Sequence, residues 1–311
     1  MEILIETPNW LGDAVMITPS LDNLCKTYKD ANFTFIGKKL AIELFADFPK
    51  LKESYSIDKS YIRNIKFFSG IGKFDLFISF RSSLRTSILK NFIYADEKIQ
   101  FNKRKYNSGH QVQRYNQFIN EELGIKNEAG RLILHSTEPE HKGNIKKIGI
   151  NPGAAYGSAK RWTKEGFVKV ASSFSKEFEI VLFGSTKEFD ICNYIEKELI
   201  KSGVKNLTNL TGKTSIRGLI ENIKSLDLFL TGDSGPMHIA AAFQIPTVSI
   251  FGPTRHLETS QWKNKSSVII KQDLPCQPCM KRSCPLKHHQ CMKLIKPNRV
   301  IEESLKLLNK F

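Results

Sequence analysis

Thr231-Gly232-Asp233-Ser234-Gly235-Pro236-Met237-His238 follows the apolar run Leu226 to Leu230 and precedes Ile239-Ala240-Ala241-Ala242. The run reads as a buried parallel strand and the following segment as a helix. The turn between them holds two glycines, an acid, a hydroxyl and a histidine. A strand end that runs into a helix N-terminus is where open α/β sheets bind ligands. The free N–H groups of the first helical turn suit phosphate oxygens. The stretch therefore predicts an α/β fold and a site for a phosphorylated small molecule.

The same strand-then-helix rhythm extends in both directions. Towards the N-terminus, Ile3-Leu4-Ile5, Phe33 to Gly37 and Asp75 to Phe80 read as strands. Helical spacing covers Ala14 to Tyr28, where Pro19 marks a kink, and also Lys39 to Phe48, Ser83 to Phe92 and Gln111 to Leu123. The pattern lapses over Ser136 to Gly143, a polar stretch that reads as a linker. It restarts with strands at Lys147 to Gly153, Glu179 to Gly184 and Pro246 to Gly252. Helices are expected at Glu165 to Phe174, Glu188 to Ile200 and Asn298 to Leu308. Alternation of this kind implies parallel sheets covered by helices. The chain reads as two Rossmann-like domains, 1–140 and 141–296, with a terminal helix over 297–311.

Composition limits the partners. The 311 residues are 41% hydrophobic, enough for two cores. No apolar run approaches the ~18 residues of a membrane helix. Met1 to Glu6 lacks a basic region and a cleavage site, so a cytoplasmic protein is expected. The formal net charge is +16, with basic residues spread along the whole chain. That charge points either to an anionic partner or to a generally lysine-rich composition. No nucleic-acid-binding module is recognisable, so no nucleic-acid partner is expected.

Several side chains carry chemistry. Asp13, beside Gly12, follows the first strand. It reads as a general base or as the N-cap of the next helix. The small-residue loop Asn151-Pro152-Gly153-Ala154-Ala155-Tyr156-Gly157-Ser158 lets backbone N–H groups approach phosphates. Lys160 at its end supplies a point charge, although an exposed basic loop would look the same. The loop is not a Walker A sequence, since no Gly-Lys-Ser/Thr ends it. Glu188 suits a ribose hydroxyl or the first turn of a helix. In the opening stretch Asp233 can orient sugar hydroxyls, and Ser234 and Gly235 offer N–H donors. His238 lies one turn into the helix, as a structural residue or facing the same crevice.

Cys276-x2-Cys279-x4-Cys284-x6-Cys291, with His288 and His289 between, has spacing that resembles a zinc site. Its second pair is wider than a usual knuckle. A structural role is expected, metal-bound or reduced. Cys25 and Cys192 read as ordinary buried thiols.

The combination resembles the ADP-heptose:lipopolysaccharide heptosyltransferases, glycosyltransferase family 9. The carriers are Asn9-Trp10-Leu11-Gly12-Asp13 with Thr18-Pro19, Asn151 to Ala154 with Ala159-Lys160-Arg161-Trp162, Gly232 to His238, Phe251-Gly252-Pro253-Thr254 and the cysteine segment. Within the family the match is best to enzymes that add the second heptose of the inner core to the first. The resemblance implies a GT-B fold, two Rossmann-like domains facing each other across a cleft, with the terminal helix packing back towards the N-terminal domain. It implies an inverting transfer from ADP-heptose to a lipid-linked acceptor at the inner membrane, with no cofactor or metal required. Asp13 and Lys160 are implied as catalytic. Gly12, Ala154, Lys160, Glu188, Thr214, Asp233, Ser234, Gly235 and His238 are implied at the donor, with Lys213 nearby. Asn9, Trp10, Arg81 and Arg104 are the acceptor candidates. Arg85 and Lys105 share their chemistry, since arginine forks suit carboxylates and phosphates. Thr163 stands where the family pattern suggests proline, and both residues suit a helix start.

Overall fold

A computed structural model describes residues 1–57, 60–136 and 145–309. The chain divides into two compact units, Met1–Thr137 and Glu138–Phe311. The linker expected over 136–143 lies, beyond Ser136, outside the described residues.

The first unit holds β1 (Glu2–Glu6), β2 (Asn32–Gly37), β3 (Leu51–Ser56), β4 (Lys73–Ser79) and β5 (Tyr94–Gln100). They form one parallel sheet in the order β3-β2-β1-β4-β5. The second unit holds β6 (Lys147–Asn151), β7 (Glu179–Leu182), β8 (Leu207–Asn209), β9 (Leu228–Gly232), β10 (Thr247–Ile250) and β11 (Ser267–Ile270). Its parallel order is β11-β10-β9-β6-β7-β8. In both sheets the strand order reverses beside the first strand, between β1 and β4 and between β6 and β9. Ligands bind outside the carboxyl ends of strands at such reversals.

The central strands are apolar because both faces are covered. Ile3, Leu4, Ile5, Ile148, Ile150, Leu228 and Leu230 are buried. In the first unit Leu4, Ile36, Phe68, Phe77, Leu89 and Ile93 share one cluster. Phe80, Phe101, Tyr106, Tyr115 and Phe118 form a network of edge-on and stacked rings. Each such ring or aliphatic chain contributes roughly 1.5–3 kcal/mol by leaving water.

Several expectations are adjusted. The helix expected over 14–28 is two, Leu11–Met16 and Thr18–Thr27, joined at Ile17. Pro19 lies in the first turn of the second, where a missing N–H leaves no bond unmade. The terminal helix, Pro297–Leu308, is packed within the second unit. It packs on helix Lys164–Phe174 and on β10. Val300 and Leu307 are buried in the second unit's core, with Ile301 and Leu308 packed against it. Cys192 is buried as expected, but Cys25 is only half-buried.

Candidate active site

In the second unit the site is built at the reversal between β6 and β9. The chain leaves β9 through Asp233 and enters helix Gly235–Ala242, with Ser234 at its N-cap and Pro236 in its first turn. Asn151, at the end of β6, pairs in register with Thr231. Its Nδ2 donates to Thr231 Oγ1 and to Ser234 Oγ, both at 3.2 Å. The Thr231 and Ser234 hydroxyls are hydrogen-bonded at 2.9 Å. Ser234 makes no side-chain cap bond to its own helix. A helix start without a side-chain cap keeps first-turn N–H groups for an anion.

Lys160 reaches this turn from the other strand's loop. Its Nζ lies 2.6 Å from Asp233 Oδ2 and also donates to the Asp233 carbonyl at 3.4 Å. Both side chains are largely buried. Thr254 Oγ1 donates to Asp233 Oδ2 at 2.6 Å. The Tyr156 ring lies 4.9 Å from Lys160 Nζ. The lysine charge is thus fixed by a carboxylate, a carbonyl and an aromatic face. Sequence reasoning assigned no role to Thr254 or Tyr156. Thr254 stood in a motif, but its partner lies 21 residues away.

The loop that carries Lys160 is anchored at both ends. Trp162 is buried, stacks edge-on against Phe167 and donates from Nε1 to the Ile295 carbonyl at 3.2 Å. Thr163 caps helix Lys164–Phe174 by accepting from the Gly166 N–H. On the other side the loop rests on the cysteine segment. Tyr156 OH donates to the Met280 carbonyl at 2.8 Å, and Ala159 N–H donates to the Arg282 carbonyl at 3.0 Å. His289 Nε2 is 2.9 Å from the Ala159 carbonyl. Gly157 is required there, since a Cβ would lie 2.3 Å from the Arg282 carbonyl oxygen.

The four clustered cysteines line one cavity of about 20 Å³ with Ala159 and His289. None forms a disulfide. Among the described residues no three His, Cys, Asp or Glu side chains are grouped as a metal ion requires. Through the contacts of Met280, Arg282 and His289 the cysteine segment is a scaffold for the Lys160 loop. Burial, with the three neighbouring thiols adding to it, pushes the Cys291 thiol up to about 11.

The remaining donor candidates are dispersed. Ala154 and His238 are buried, and Thr214 is half-buried, one residue before the N-cap Ser215. Lys213 is exposed and donates to the Asn209 carbonyl. Glu188 is buried, and its Oε2 accepts from the Ser185 N–H at 2.6 Å and hydroxyl at 2.7 Å. It closes a capping box and leans on Gly153, where a Cβ would lie 2.4 Å from its carboxyl.

In the first unit Asp13 stands at the reversal between β1 and β4. It is not the N-cap of its helix. That position is Trp10, half-exposed, and Asp13 lies inside the first turn of Leu11–Met16 with Gly12 before it. A carboxylate is favoured there by the helix dipole. Tyr115 OH faces Asp13 Oδ1 at 3.5 Å, at the outer limit of a hydrogen bond. Burial and then the Asp13 charge push the Tyr115 phenol well up, so it stays protonated. Asn9 is half-buried beside Trp10.

Arg81 is ion-paired within its own unit. Its Nη1 is 2.6 Å from Oε1 of Glu6, a buried carboxylate at the end of β1. Glu6 also accepts from the Ser79 and Thr86 hydroxyls. A buried carboxylate needs such a counter-charge, so Arg81 is committed to the unit's own network. Arg104 is exposed in a loop and remains an acceptor candidate. Lys105 pairs with Glu121 and Glu122, and Arg85 lies 4.9 Å from the Tyr61 ring.

Known proteins share this architecture. Residues 72–290 match the family described as "Glycosyltransferase family 9 (heptosyltransferase)". Lipooligosaccharide heptosyltransferase 2 of Campylobacter jejuni is 42% identical over 99% of this chain and 98% of its own. The solved structure of Escherichia coli ADP-heptose lps heptosyltransferase II covers 100% of this chain and 99% of its own, with TM-score 0.82 at 22% identity. That of E. coli heptosyltransferase WaaC with ADP covers 99% of this chain and 100% of its own, with TM-score 0.78 at 14% identity. The α/β fold with two parallel sheets is the GT-B fold of those structures.

Proposed function

This chain belongs to glycosyltransferase family 9, the heptosyltransferases, and from that premise we propose that it adds the second heptose of a lipooligosaccharide inner core. The donor in this reading is ADP-heptose and the acceptor a lipid-linked core that carries its first heptose. The observation that supports the donor half is Lys160, held within 2.6 Å of Asp233 at the open start of helix Gly235–Ala242. A fixed cation beside first-turn N–H groups stabilises charge that develops on a departing diphosphate.

The acceptor half rests on Asp13. In the proposed step its carboxylate takes the proton from the acceptor hydroxyl as that oxygen bonds to the anomeric carbon. The bond from that carbon to the ADP oxygen breaks, ADP leaves with the electron pair, and configuration inverts. Lys160 and the backbone N–H groups of Ser234 and Gly235 answer the charge on ADP, so the reading assigns no cofactor. The protein works at the cytoplasmic face of the inner membrane, where its acceptor is anchored. No helix among the described residues is long and apolar enough to cross a membrane.

Purified protein given ADP-heptose and a delipidated core with one heptose should release ADP and add one heptose to the core. Faster turnover on a core that lacks heptose would identify first-heptose transfer instead.

A further inference from the structure

Tyr115 lies on helix Gln111–Leu123, and its hydroxyl faces Asp13 Oδ1, 102 residues away in sequence and 3.5 Å away in space. The helix that carries it is fixed. His110 and Gln113 close a capping box at its start. Asn116, the next residue, accepts from Asn23 at 2.7 Å and donates to the Asn127 carbonyl at 2.7 Å. The helix is thereby tied to helix Thr18–Thr27, and it packs on Leu11–Met16, which carries Asp13. The buried Tyr115 ring meets Phe80 edge-on at 5.5 Å and Phe101 at 4.9 Å. Those two rings directly follow β4 and β5. Close packing of this kind holds a side chain in one rotamer.

The phenol is placed to give its proton in one direction. The Gln111 side chain, one turn earlier on the same helix, donates to the phenol oxygen, and the Asp13 carboxylate accepts from it. Burial and then the Asp13 charge keep the phenol protonated. A neutral donor orients a carboxylate without adding charge beside it. A lysine or arginine there would also lower the basicity that proton abstraction needs. At 3.5 Å the contact is longer than the roughly 2.5–3.0 Å of a strong O–H···O bond, so it draws little charge from Asp13. Its effect is on direction. The last torsion of an aspartate is broad, and a donor on one oxygen narrows it and sets where the other oxygen points.

We propose that Tyr115 is a positioning residue for the acceptor base: its hydroxyl holds Asp13 Oδ1 and so aims the carboxylate at the acceptor hydroxyl. The inference rests on the reading of Asp13 as that base.

The test measures transfer by the full chain from ADP-heptose to a delipidated core with one heptose, with the product read by mass spectrometry. Tyr115→Phe keeps the ring and removes the hydroxyl. It should lower kcat by about ten- to a hundredfold, as misdirected reacting groups do. The acceptor KM and the ADP dissociation constant should stay within about twofold, the mark of an interaction used only in the transition state. A double-mutant cycle gives the second readout. In an Asp13→Asn background, Tyr115→Phe should change the residual turnover by less than about twofold, because the carboxylate it directs is gone. Gln111→Leu leaves the buried ring in place and removes the donor behind the phenol. It should lower kcat by about two- to fivefold and add nothing to Tyr115→Phe. Equal fold-losses from Tyr115→Phe in the wild-type and Asp13→Asn backgrounds would overturn the proposal in favour of a tyrosine that only packs. Wild-type kcat in Tyr115→Phe, with Asp13→Asn crippled, defeats the positioning role and leaves the base standing. Wild-type turnover in Asp13→Asn defeats the base, and the positioning role with it.

Discussion

Lys160 and Asp233 lie 73 residues apart in sequence and 2.6 Å apart in space, in the segments that follow the neighbouring strands β6 and β9 of the second sheet. The pair is largely buried, and Thr254 donates to the same carboxylate oxygen. A buried cation held this way is oriented before any ligand arrives. Its orientation depends on both partners.

Lys160→Ala should therefore weaken ADP binding by about ten- to a hundredfold, the worth of one charge-assisted hydrogen bond. Calorimetric titration with ADP measures this. Lys160→Arg should recover part of the loss. A dissociation constant unchanged in Lys160→Ala would remove the lysine from the diphosphate.

Thr254→Val removes a donor from a buried carboxylate and should cost about 1–3 kcal/mol of stability. It should also weaken ADP binding, because Asp233 no longer fixes Lys160. Thr254→Ser keeps the hydroxyl and should restore both. Denaturant unfolding and ADP titration read the two effects. Equal losses in the valine and serine variants would count against the hydrogen bond.

Arg81→Ala leaves Glu6 buried without its counter-charge. Loss of one partner from a buried pair costs about 3–5 kcal/mol, visible as a large fall in the denaturant midpoint. Arg104→Ala, at an exposed loop position, should stay within about 0.5 kcal/mol of wild type and raise the acceptor KM. An Arg81→Ala protein of normal stability with a raised acceptor KM would return Arg81 to the acceptor site.

Cys291 should alkylate slowly. Its thiol is pushed up to about 11 by burial and by its neighbours, so it stays neutral across the physiological range. Timed iodoacetamide labelling read by peptide mass spectrometry should show Cys291 lagging behind the half-buried Cys276, Cys279 and Cys284. Faster labelling as pH rises towards 11 is the expected sign, because only the thiolate reacts. Rapid labelling of Cys291 at neutral pH would contradict its burial.

How much of this was legible in the sequence follows from burial. The central strands announce themselves because both faces are covered and the runs are wholly apolar, as at Leu228 to Leu230. The edge strand Leu51–Ser56 went unread because its side chains are mostly exposed and include Lys52 and Glu53. Charged edges of this kind resist unwanted pairing, and that same charge hides them. Helix Ile216–Lys224 was missed although its apolar side chains lie on one face. The residue types at the site were legible in the Gly-Asp-Ser-Gly turn and the Lys-Arg-Trp loop. The partners were not, because Thr254 to Asp233 and Tyr156 to Met280 are contacts between distant segments. The ion pair of Arg81 was hidden for a related reason. Its sequence neighbours give no sign of Glu6, which the parallel pairing of β1 with β4 brings alongside.

The central claim divides the chemistry between an acceptor base in one unit and a donor site in the other. Asp13→Asn tests it most directly, with turnover and ADP affinity measured on the same preparation. The account predicts that kcat falls by about a hundredfold to ten-thousandfold, the range of a lost general base, while the dissociation constant for ADP stays within about twofold. Wild-type turnover in Asp13→Asn would contradict it.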